Sequence, residues 1–188
     1  SVTVSHDFWL GKFEVTQAQY GAVIDSNPSF YRGAARPVER VTWHEAVAFC
    51  QRLNDLCAEK IPRGYMFALP TEAQWEYACR AGTNTALSNG TNLDSEKGRC
   101  RNLEEAGWYF ENHVANGHRN VGQKVPNAWG LFDMHGNVWE WCRDWQTGLA
   151  DQTVKQKNDF IRALRGGSWG SRAGNCRSAS RMPVVLNK

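Results

Sequence analysis

The sequence predicts an α+β fold in which a few short helices accompany short, irregular strands and extensive loops. Three observations indicate this class: repeated helix-start signals in the first half of the chain, a Trp-rich segment at Gly130–Trp145, and a long stretch rich in Asn, Gly, Ser and Thr over residues 83–120. A chain of 188 residues can bury a substantial core, so we expect residues 1–188 to form one domain.

Three Thr-x-x-Gln/Glu pairs mark the predicted helix starts. In such a pair the threonine side chain accepts a hydrogen bond from an early backbone N–H of the helix, and the third residue reaches back to the threonine. The pairs predict a short helix that stops by Asn27-Pro28, a second helix with one apolar face, and a third over Glu72–Ala81 that meets Gly82. The paired residues are Thr16 with Gln19, Thr42 with Glu45, and Thr71 with Gln74.

Strands are predicted where apolar and polar residues alternate. Trp139, Trp141 and Trp145 would share one face of a strand that is entered through a bend at Gly136 and Asn137. Because large aromatic side chains dominate the energetics of a core, we expect much of the packing to depend on this segment. Residues 7–15 are predicted to form an opening strand or a hairpin with Gly11 at its turn. Further strands are predicted over 65–69, over 163–169 with a bulge or close approach at Gly166-Gly167, and over 175–181. We predict an exposed excursion over residues 146–159.

The composition is that of an ordinary globular protein, with 41% hydrophobic and 22% charged residues. No apolar run approaches the ~20 residues of a membrane-spanning helix, so we expect no membrane span. The formal net charge of +3 is too small to indicate a nucleic-acid partner, although the segment from Arg162 to Lys188 holds five arginines, one lysine and no acid. We expect these arginines to be solvated or to bridge the core.

The six cysteines include no CxxC pair, which excludes zinc-ribbon and thioredoxin motifs. Cys50 and Cys57 fall on one face of a predicted helix and lie about two turns, or ~10 Å, apart, which is too far for a disulfide. We therefore expect buried, reduced thiols.

Five segments together resemble the formylglycine-generating enzyme (sulfatase-modifying factor) domain family: FWLGKFEVTQAQY, FCQRLN, LPTEAQWEYACRAG, PNAWGLFDMHGNVWEWCRDW and LRGGSW. The resemblance covers nearly the whole chain. It implies a C-type-lectin-like fold of the formylglycine-generating-enzyme subclass, with two main helices on a small twisted antiparallel sheet and extensive loops. The family normally closes with a Gly-Phe-Arg strand, which is missing from this sequence up to Lys188.

The resemblance also implies a copper chemistry, but half of the metal site is missing in this chain. Enzymes of the family oxidise a cysteine of a sulfatase with oxygen and copper, and two cysteines five positions apart after the RGGS motif bind the copper. The matching positions here are Ser171 and Cys176. A thiolate is a soft ligand that suits Cu(I), whereas a serine hydroxyl is hard and stays protonated near neutral pH. We therefore predict that the protein is not an enzyme.

A second oxidative branch of the family forms sulfoxides through a histidine-bound iron that an added helical domain largely holds. This chain has no room for that domain and has only scattered histidines, which we expect on the surface or in hydrogen bonds. The five histidines are His6, His44, His113, His118 and His135.

A third branch keeps the fold without the chemistry: the variable proteins of diversity-generating retroelements, which this chain resembles in its NCRSA stretch after RGGSW. Such proteins use the last strands and loops as a binding surface, and randomised template adenines convert Asn codons into others. Met182 cannot arise in this way. The residues that can are Gly170, Ser171, Arg172, Gly174, Ser180, Val184, Val185 and Leu186.

We therefore predict a non-enzymatic ligand-binding domain with a variable recognition surface. Trp169 and Met182 would supply apolar contact and Arg172 charge-assisted hydrogen bonds, a mixture that binding surfaces use. The predicted ligand-binding residues are Trp169, Gly170, Ser171, Arg172, Gly174, Ser180, Met182, Val184, Val185 and Leu186.

A calcium ion is a further hypothesis that the resemblance implies, around Gly136–Glu140. The evident side-chain ligands are Asn137 and Glu140, whereas calcium takes six to ~8 oxygen ligands. The alternative role of both side chains is to stabilise the bend before the Trp-rich strand.

Two alternatives to the binding domain remain open. One is a copper-dependent formylglycine-generating-type oxidase that acts on a cysteine thiol and uses Cys176, and the other is a purely structural domain. For the binding domain we expect a monomer whose partner is an unknown protein or surface ligand, exported or on the cell surface.

Overall fold

The computed structural model describes residue 4 and residues 6–113, 117–144 and 161–186. Trp145 and the predicted excursion over residues 146–159 lie outside the described residues. The elements in chain order are α1 (Gln17–Ile24), α2 (Trp43–Leu56), α3 (Glu72–Arg80), α4 (Arg101–Glu104), β1 (Glu140–Trp141), β2 (Ile161–Arg165), a 3-10 helix (Ala173–Cys176) and β3 (Arg181–Val185).

All three predicted helices form, and each starts at its predicted threonine. Thr16, Thr42 and Thr71 each accept a hydrogen bond from the third backbone N–H of the helix, and the paired Gln or Glu side chain bonds back to the threonine N–H. The helix α3 ends with Ala81 in the left-handed region at φ 44°, and Gly82 follows at φ 93°. The predicted N-caps are therefore confirmed, whereas the left-handed stop of α3 begins at Ala81, one residue before the predicted Gly82.

The strands form one small antiparallel sheet in the order β1-β2-β3. Leu164 in the central strand lies opposite Trp141 on one side and Met182 on the other. The predicted small antiparallel sheet is confirmed, and it joins the Trp-rich segment to the C-terminal segment.

Two strands predicted in the first half of the chain are wrong. Residues 7–15 are irregular, and their backbone is held by single bonds such as Phe132 N to Lys12 O at 3.0 Å. Residues 65–69 belong to no strand. The Asn54 side chain takes the place of a strand partner, because it accepts from Phe67 N at 2.7 Å and donates to Phe67 O at 2.9 Å.

The strand predicted over residues 175–181 is also wrong, and the one predicted over 163–169 is shifted. The strand β2 ends at Arg165, before the two glycines, and β3 starts at Arg181. Ala173 and Cys176 are both buried and lie three residues apart, a spacing that a 3-10 turn places on one side. The alternation of polar and apolar residues in NCRSASR therefore did not indicate a strand.

The tryptophan at the centre of the core comes from α3, whereas the prediction placed the tryptophans of the Trp-rich segment there. Trp75 of α3 is fully buried, whereas Trp139 and Trp141 are half-buried and border the core. Trp141 donates from Nε1 to Val41 O at 2.9 Å, so it joins the sheet to the start of α2. One buried cluster consists of Trp75, Ala78, Cys79, Leu131, Met134, Cys142 and Ala163, and a second of Leu87, Cys100, Leu103, Tyr109, Ala173 and Cys176.

The arginines behave as predicted, whereas the prediction of buried thiols holds for four of the six cysteines. Arg162 stacks on Trp43 at 4.4 Å, and Arg165, which is 1% exposed, packs on Trp75 at 5.3 Å, so both bridge the core. The remaining arginines of this segment, Arg172, Arg177 and Arg181, are exposed. All six cysteines are free thiols, and four of them are buried.

Candidate recognition site

The loop that joins β2 to β3 carries six of the ten predicted ligand-binding residues, and two glycines let it leave the sheet. Gly166 and Gly167 both have positive φ, at 90° and 82°. A Cβ on Gly167 would lie 2.6 Å from the Cys176 Sγ atom, so no larger residue fits beside that thiol. The predicted close approach at the double glycine is confirmed.

Ser171 closes a tight turn within this loop. Its backbone N donates to Ser168 O at 2.9 Å, and its hydroxyl accepts from Ser168 N at 3.1 Å. Its carbonyl accepts from Phe110 N at 2.9 Å. Because Ser171 is 8% exposed and its polar atoms are engaged within the protein, its side chain serves the turn more than it serves a ligand.

Cys176 is buried at the base of the same loop. Burial raises the pKa of its thiol to about 12, so the thiol stays protonated at neutral pH. The Sγ atom donates a weak hydrogen bond to Arg172 O at 3.7 Å. A buried neutral thiol and an engaged hydroxyl fit Cu(I) poorly, because this ion is bound by thiolates.

His135 holds the base of the loop in place. Its Nδ1 donates to Cys176 O at 2.7 Å, and its Nε2 accepts from Ser88 N at 3.0 Å. Burial lowers the pKa of His135 to about 4, which keeps the ring neutral and compatible with one donor and one acceptor nitrogen. The prediction that this histidine takes part in hydrogen bonds is confirmed.

The predicted ligand-binding residues divide into a loop group and a strand group. In the loop, Gly170 and Arg172 are exposed, and a Cβ built on Gly170 meets no atom within 4 Å. Half-buried members are Trp169, Gly174, Ser180, Met182, Val184 and Leu186. Along β3, side chains alternate between faces, so Val185, which is 66% exposed, points away from Met182 and Val184. The ten residues therefore do not form one continuous surface.

Trp169 connects the loop to aromatic residues that the sequence did not single out for binding. Its ring makes an edge contact with Tyr31 at 5.6 Å and a tilted contact with His113 at 5.4 Å. Phe30 packs edge-on against Tyr31 at 5.0 Å, and Phe110 contacts His113 at 5.3 Å. These residues come from segments remote in sequence, so no local pattern could have identified them.

The calcium hypothesis concerns a buried group of carboxylates to which the structure adds Glu14. Asn137 is fully buried, donates from Nδ2 to Glu14 Oε2 at 2.7 Å and accepts at Oδ1 from Arg119 N at 2.8 Å. Glu140 accepts from Trp75 Nε1 at 3.0 Å. Glu14 lies in FWLGKFEVTQAQY, one of the five segments that resemble the family. Nothing in the neighbouring sequence indicated that its carboxylate is buried.

The carboxylates of this group resist ionisation. Burial, with the neighbouring charges of Asp133 and Glu140, raises the pKa of Glu14 well above its usual range. Burial raises the pKa of Glu140 to about 7, again with a contribution from Asp133. In the described ranges, no three His, Cys, Asp or Glu side chains are arranged to hold a metal ion. Calcium at Asn137 and Glu140 stays a prediction.

No helix in the described part of the chain is long and apolar enough to cross a membrane. This finding agrees with the sequence prediction for those residues.

A few helices, a small antiparallel sheet and long packed loops define a C-type-lectin-like fold of the formylglycine-generating-enzyme subclass. The chain belongs to the sulfatase-modifying factor enzyme 1-like domain family, whose model matches residues 1–185. The Treponema denticola variable protein 1 has a similar structure, with a TM-score of 0.73 and 29% identity over 92% of this chain and 77% of that chain.

Two further relatives illustrate the range of the family. A protein of Paenibacillus barcinonensis named chaperone protein LppX is 32% identical over 91% of this chain and 72% of its own length. The formylglycine-generating enzyme of Bos taurus is 33% identical over 71% of this chain. The matched region is 35% of the length of that enzyme.

Proposed function

We propose that this domain is a non-enzymatic ligand-binding domain of the variable-protein type. The observation that carries the proposal is the pair formed by Ser171 and Cys176. At the positions that the family enzymes use for copper, this chain has a hydroxyl bonded within a turn and a thiol whose pKa is about 12. Only one of the two groups is a sulfur, and burial disfavours its thiolate, so the site lacks the pair of thiolates that the family oxidation uses.

The loop has the features that a variable binding surface needs. His135 and the double glycine fix the base of the loop, whereas a side chain at position Gly170 would extend into open space. The exposed Arg172 has no ion-pair partner among the residues described. Substitutions at Gly170 and Arg172 would therefore change the surface without disturbing the core. The similarity to the Treponema denticola variable protein 1 supports this proposal.

Only the exposed members of the predicted ligand-binding residues can form the binding surface. Gly170, Arg172 and Val185 can contact a partner directly, and half-buried Trp169 can present one edge. Ser171 would contribute through the turn that it closes. We propose a protein or other surface ligand as partner, for a monomeric domain that is exported or displayed on a cell surface.

The alternative is a copper-dependent oxidase of the formylglycine-generating type. The identity to the Bos taurus enzyme favours it, and Cys176 would be its remaining thiol. In this case Cys176 would have to become accessible and release its proton as copper binds.

A copper titration combined with a turnover assay separates the two functions. The wild-type protein is titrated with Cu(I) under anaerobic conditions in competition with a chromogenic chelator, and oxygen uptake is measured with a cysteine-containing sulfatase peptide. We expect no copper binding beyond that of the Cys176→Ser variant and no oxygen uptake. Stoichiometric copper binding that depends on Cys176, with conversion of the peptide, would establish the oxidase instead.

The binding function is tested by substitution of the exposed positions. Gly170→Arg and Arg172→Ala should alter the affinity for a partner selected on the wild-type protein, whereas the buried-turn variant Ser171→Ala should act only through stability. If the affinity for every selected partner is the same in Gly170→Arg and Arg172→Ala as in wild type, the domain is purely structural on this face.

A further inference from the structure

We infer that the loop of the proposed function is one edge of a larger, fixed recognition surface, which takes an acidic protein segment with large apolar side chains. This surface, here called the aromatic face, consists of Phe30, Tyr31, Phe110, His113 and Trp169. The inference rests on the proposed function because Trp169 belongs to the same loop. It goes further because the other residues lie outside the variable segment and because it specifies the chemistry of the partner.

The aromatic rings form a continuous series across the surface. Each ring contacts the next at a centroid distance between 5.0 and 5.6 Å, in the order Phe30, Tyr31, Trp169, His113 and Phe110. The two terminal rings are the exposed ones, since Phe30 is 61% exposed and Phe110 is 50% exposed. Aromatic residues with a fixed inner part and an open outer part are typical anchors of protein interfaces.

Hydrogen bonds to the backbone hold the aromatic face in one conformation. Glu39 accepts with Oε1 from the backbone N–H of Phe30 and, at 3.0 Å, from that of Tyr31. Gln17 donates from Nε2 to Tyr31 O at 2.8 Å. On the other side, Phe110 N donates to Ser171 O at 2.9 Å, which ties the Phe110 segment to the loop. Because these groups are ordered before binding, the domain itself loses less conformational entropy when a partner binds.

Positive charge flanks both ends of the aromatic face. Arg40 stacks its guanidinium over the Phe30 ring at 4.9 Å and keeps 63% of its side chain exposed. Arg172 follows the turn that Phe110 contacts and is exposed. The carboxylate nearest to Arg40 is that of Glu39, 3.9 Å away, and Glu39 is already engaged by the Phe30 and Tyr31 backbone. Glu111 is an exposed acid beside Phe110.

The two exposed arginines are therefore available for carboxylates of a partner. Arginine pairs with carboxylate groups through charge-assisted, often bidentate hydrogen bonds, and it is enriched together with aromatic residues at binding hot spots. An acidic segment with apolar side chains would place those side chains on Phe30 and Phe110 and its carboxylates on Arg40 and Arg172. A neutral or basic segment would leave the arginines unpaired or repelled.

Two synthetic peptides test the inference by fluorescence anisotropy on the whole chain. One alternates aspartate with leucine and phenylalanine, and the other has lysine in place of every aspartate. We expect saturable binding of the acidic peptide and at least about tenfold weaker binding of the basic one. We expect two double variants to bind the acidic peptide at least about tenfold more weakly than wild type. One combines Phe30→Ala with Phe110→Ala, and the other combines Arg40→Glu with Arg172→Glu.

Matched controls lie on other surfaces. Trp9, which is 74% exposed and stacks on Tyr65, and exposed Arg63 are outside the aromatic face. Trp9→Ala and Arg63→Glu should leave the peptide affinity within about twofold of wild type. Circular dichroism melts of all variants confirm that each is folded, and Phe30→Leu with Phe110→Leu, which retains apolar area, should keep most of the affinity.

Three results would overturn the inference. The first is that the acidic peptide shows no saturable binding, and the second is that both peptides bind equally. The third is that the double variant Phe30→Ala with Phe110→Ala binds the acidic peptide as tightly as wild type. If a single-stranded oligonucleotide binds more tightly than the acidic peptide and uses the same arginines, the partner is a nucleic acid and the inference of an acidic protein segment is wrong. If the Phe30 and Phe110 changes have no effect but Gly170→Arg alters partner binding, the aromatic face fails while the proposed function stands.

Discussion

The Nδ1 atom of His135 lies 2.7 Å from the carbonyl oxygen of Cys176, and this bond joins the Trp-rich segment to the base of the recognition loop across 41 residues of sequence. The other ring nitrogen accepts from Ser88 N at 3.0 Å, so one neutral histidine connects three segments. The conformation of the loop therefore depends on a residue that no partner can reach.

His135→Ala should destabilise the protein and weaken partner binding. The change leaves the Ser88 N–H and the Cys176 carbonyl buried without partners, at about 1–3 kcal/mol for each unsatisfied group. Urea unfolding measures the loss. The exposed His44 is the matched control, and His44→Ala should change stability by less than about 0.5 kcal/mol. Equal stability of the two variants would contradict the anchoring role.

Gly167→Ala and Gly170→Ala should differ sharply although they lie three residues apart. At Gly167 a Cβ would lie 2.6 Å from Cys176 Sγ and 3.0 Å from Asn175 O, at a φ of 82°. We expect a loss of about 2–4 kcal/mol there, from the left-handed backbone and overpacking. Gly170→Ala meets open space and should stay within about 0.5 kcal/mol of wild type in the same urea titration. Similar losses in both variants would contradict the loop geometry.

Arg165 and Arg181 contact the same Glu72 oxygen at similar distances but should contribute differently to stability. Their Nε atoms lie 3.5 and 3.3 Å from Glu72 Oε1, while their side chains are 1% and 43% exposed. Arg165→Ala removes a buried guanidinium that packs on Trp75 and leaves the half-buried carboxylates of Glu72 and Glu76 with one positive partner fewer, so it should cost about 3–5 kcal/mol. Arg181→Ala should cost less than about 1 kcal/mol, because water screens the pair. Thermal and urea unfolding compare the variants, and a larger loss in Arg181→Ala would contradict this assignment.

The raised pKa of Glu140 predicts a pH-dependent effect of Glu140→Gln. A carboxyl group whose folded pKa is about 7 stabilises the fold below its unfolded value of 4.5 and loses that contribution as the pH rises through 7. His135, with its lowered pKa, acts in the opposite direction, so the variant must be compared with wild type at each pH. Relative to wild type, Glu140→Gln should gain at least about 1.4 kcal/mol between pH 4.5 and pH 8, the free energy of one pKa unit.

A difference between Glu140→Gln and wild type that does not vary with pH would contradict this prediction. Glu59→Gln serves as the control, because Glu59 is exposed.

The calcium hypothesis makes its own prediction about pH. If Glu14, Asn137 and Glu140 hold calcium, the ion and protons compete for the carboxylates, so calcium should raise the melting temperature more at pH 8 than at pH 5. Glu14→Gln should abolish the increase. The hypothesis is rejected if calcium leaves the melting temperature unchanged at both pH values, or if magnesium raises it by the same amount.

Local patterns predicted the helices well and the strands poorly. Thr16, Thr42 and Thr71 each cap a helix through groups three residues away, so the signal lies within one turn of the chain. The segment 65–69 alternates like a strand, but the Asn54 side chain takes the place of a strand partner. Alternation in sequence shows that a backbone can be extended and cannot show whether another strand lies beside it.

Prediction of the candidate site was limited for a similar reason. The codon argument and the resemblance selected the segment Trp169–Leu186, which contains both exposed and buried residues. Ser171 is buried because its turn meets Phe110, and Cys176 because the double glycine closes over it. Glu14 and Phe30 carried no binding signal, because their roles depend on neighbours from other parts of the chain.

The sequence by itself determined the family, the helix starts, the reduced cysteines and the presence of a hydroxyl beside a lone thiol where the related enzymes have two thiols. These properties depend on residue identity or on contacts within a few residues. Only the tertiary structure decided which of Trp169–Leu186 face solvent, that the thiol pKa is raised, and that an aromatic face borders the loop. The physical reason is that burial arises from contacts between distant segments, such as Trp169 with Tyr31 and Cys176 with His135.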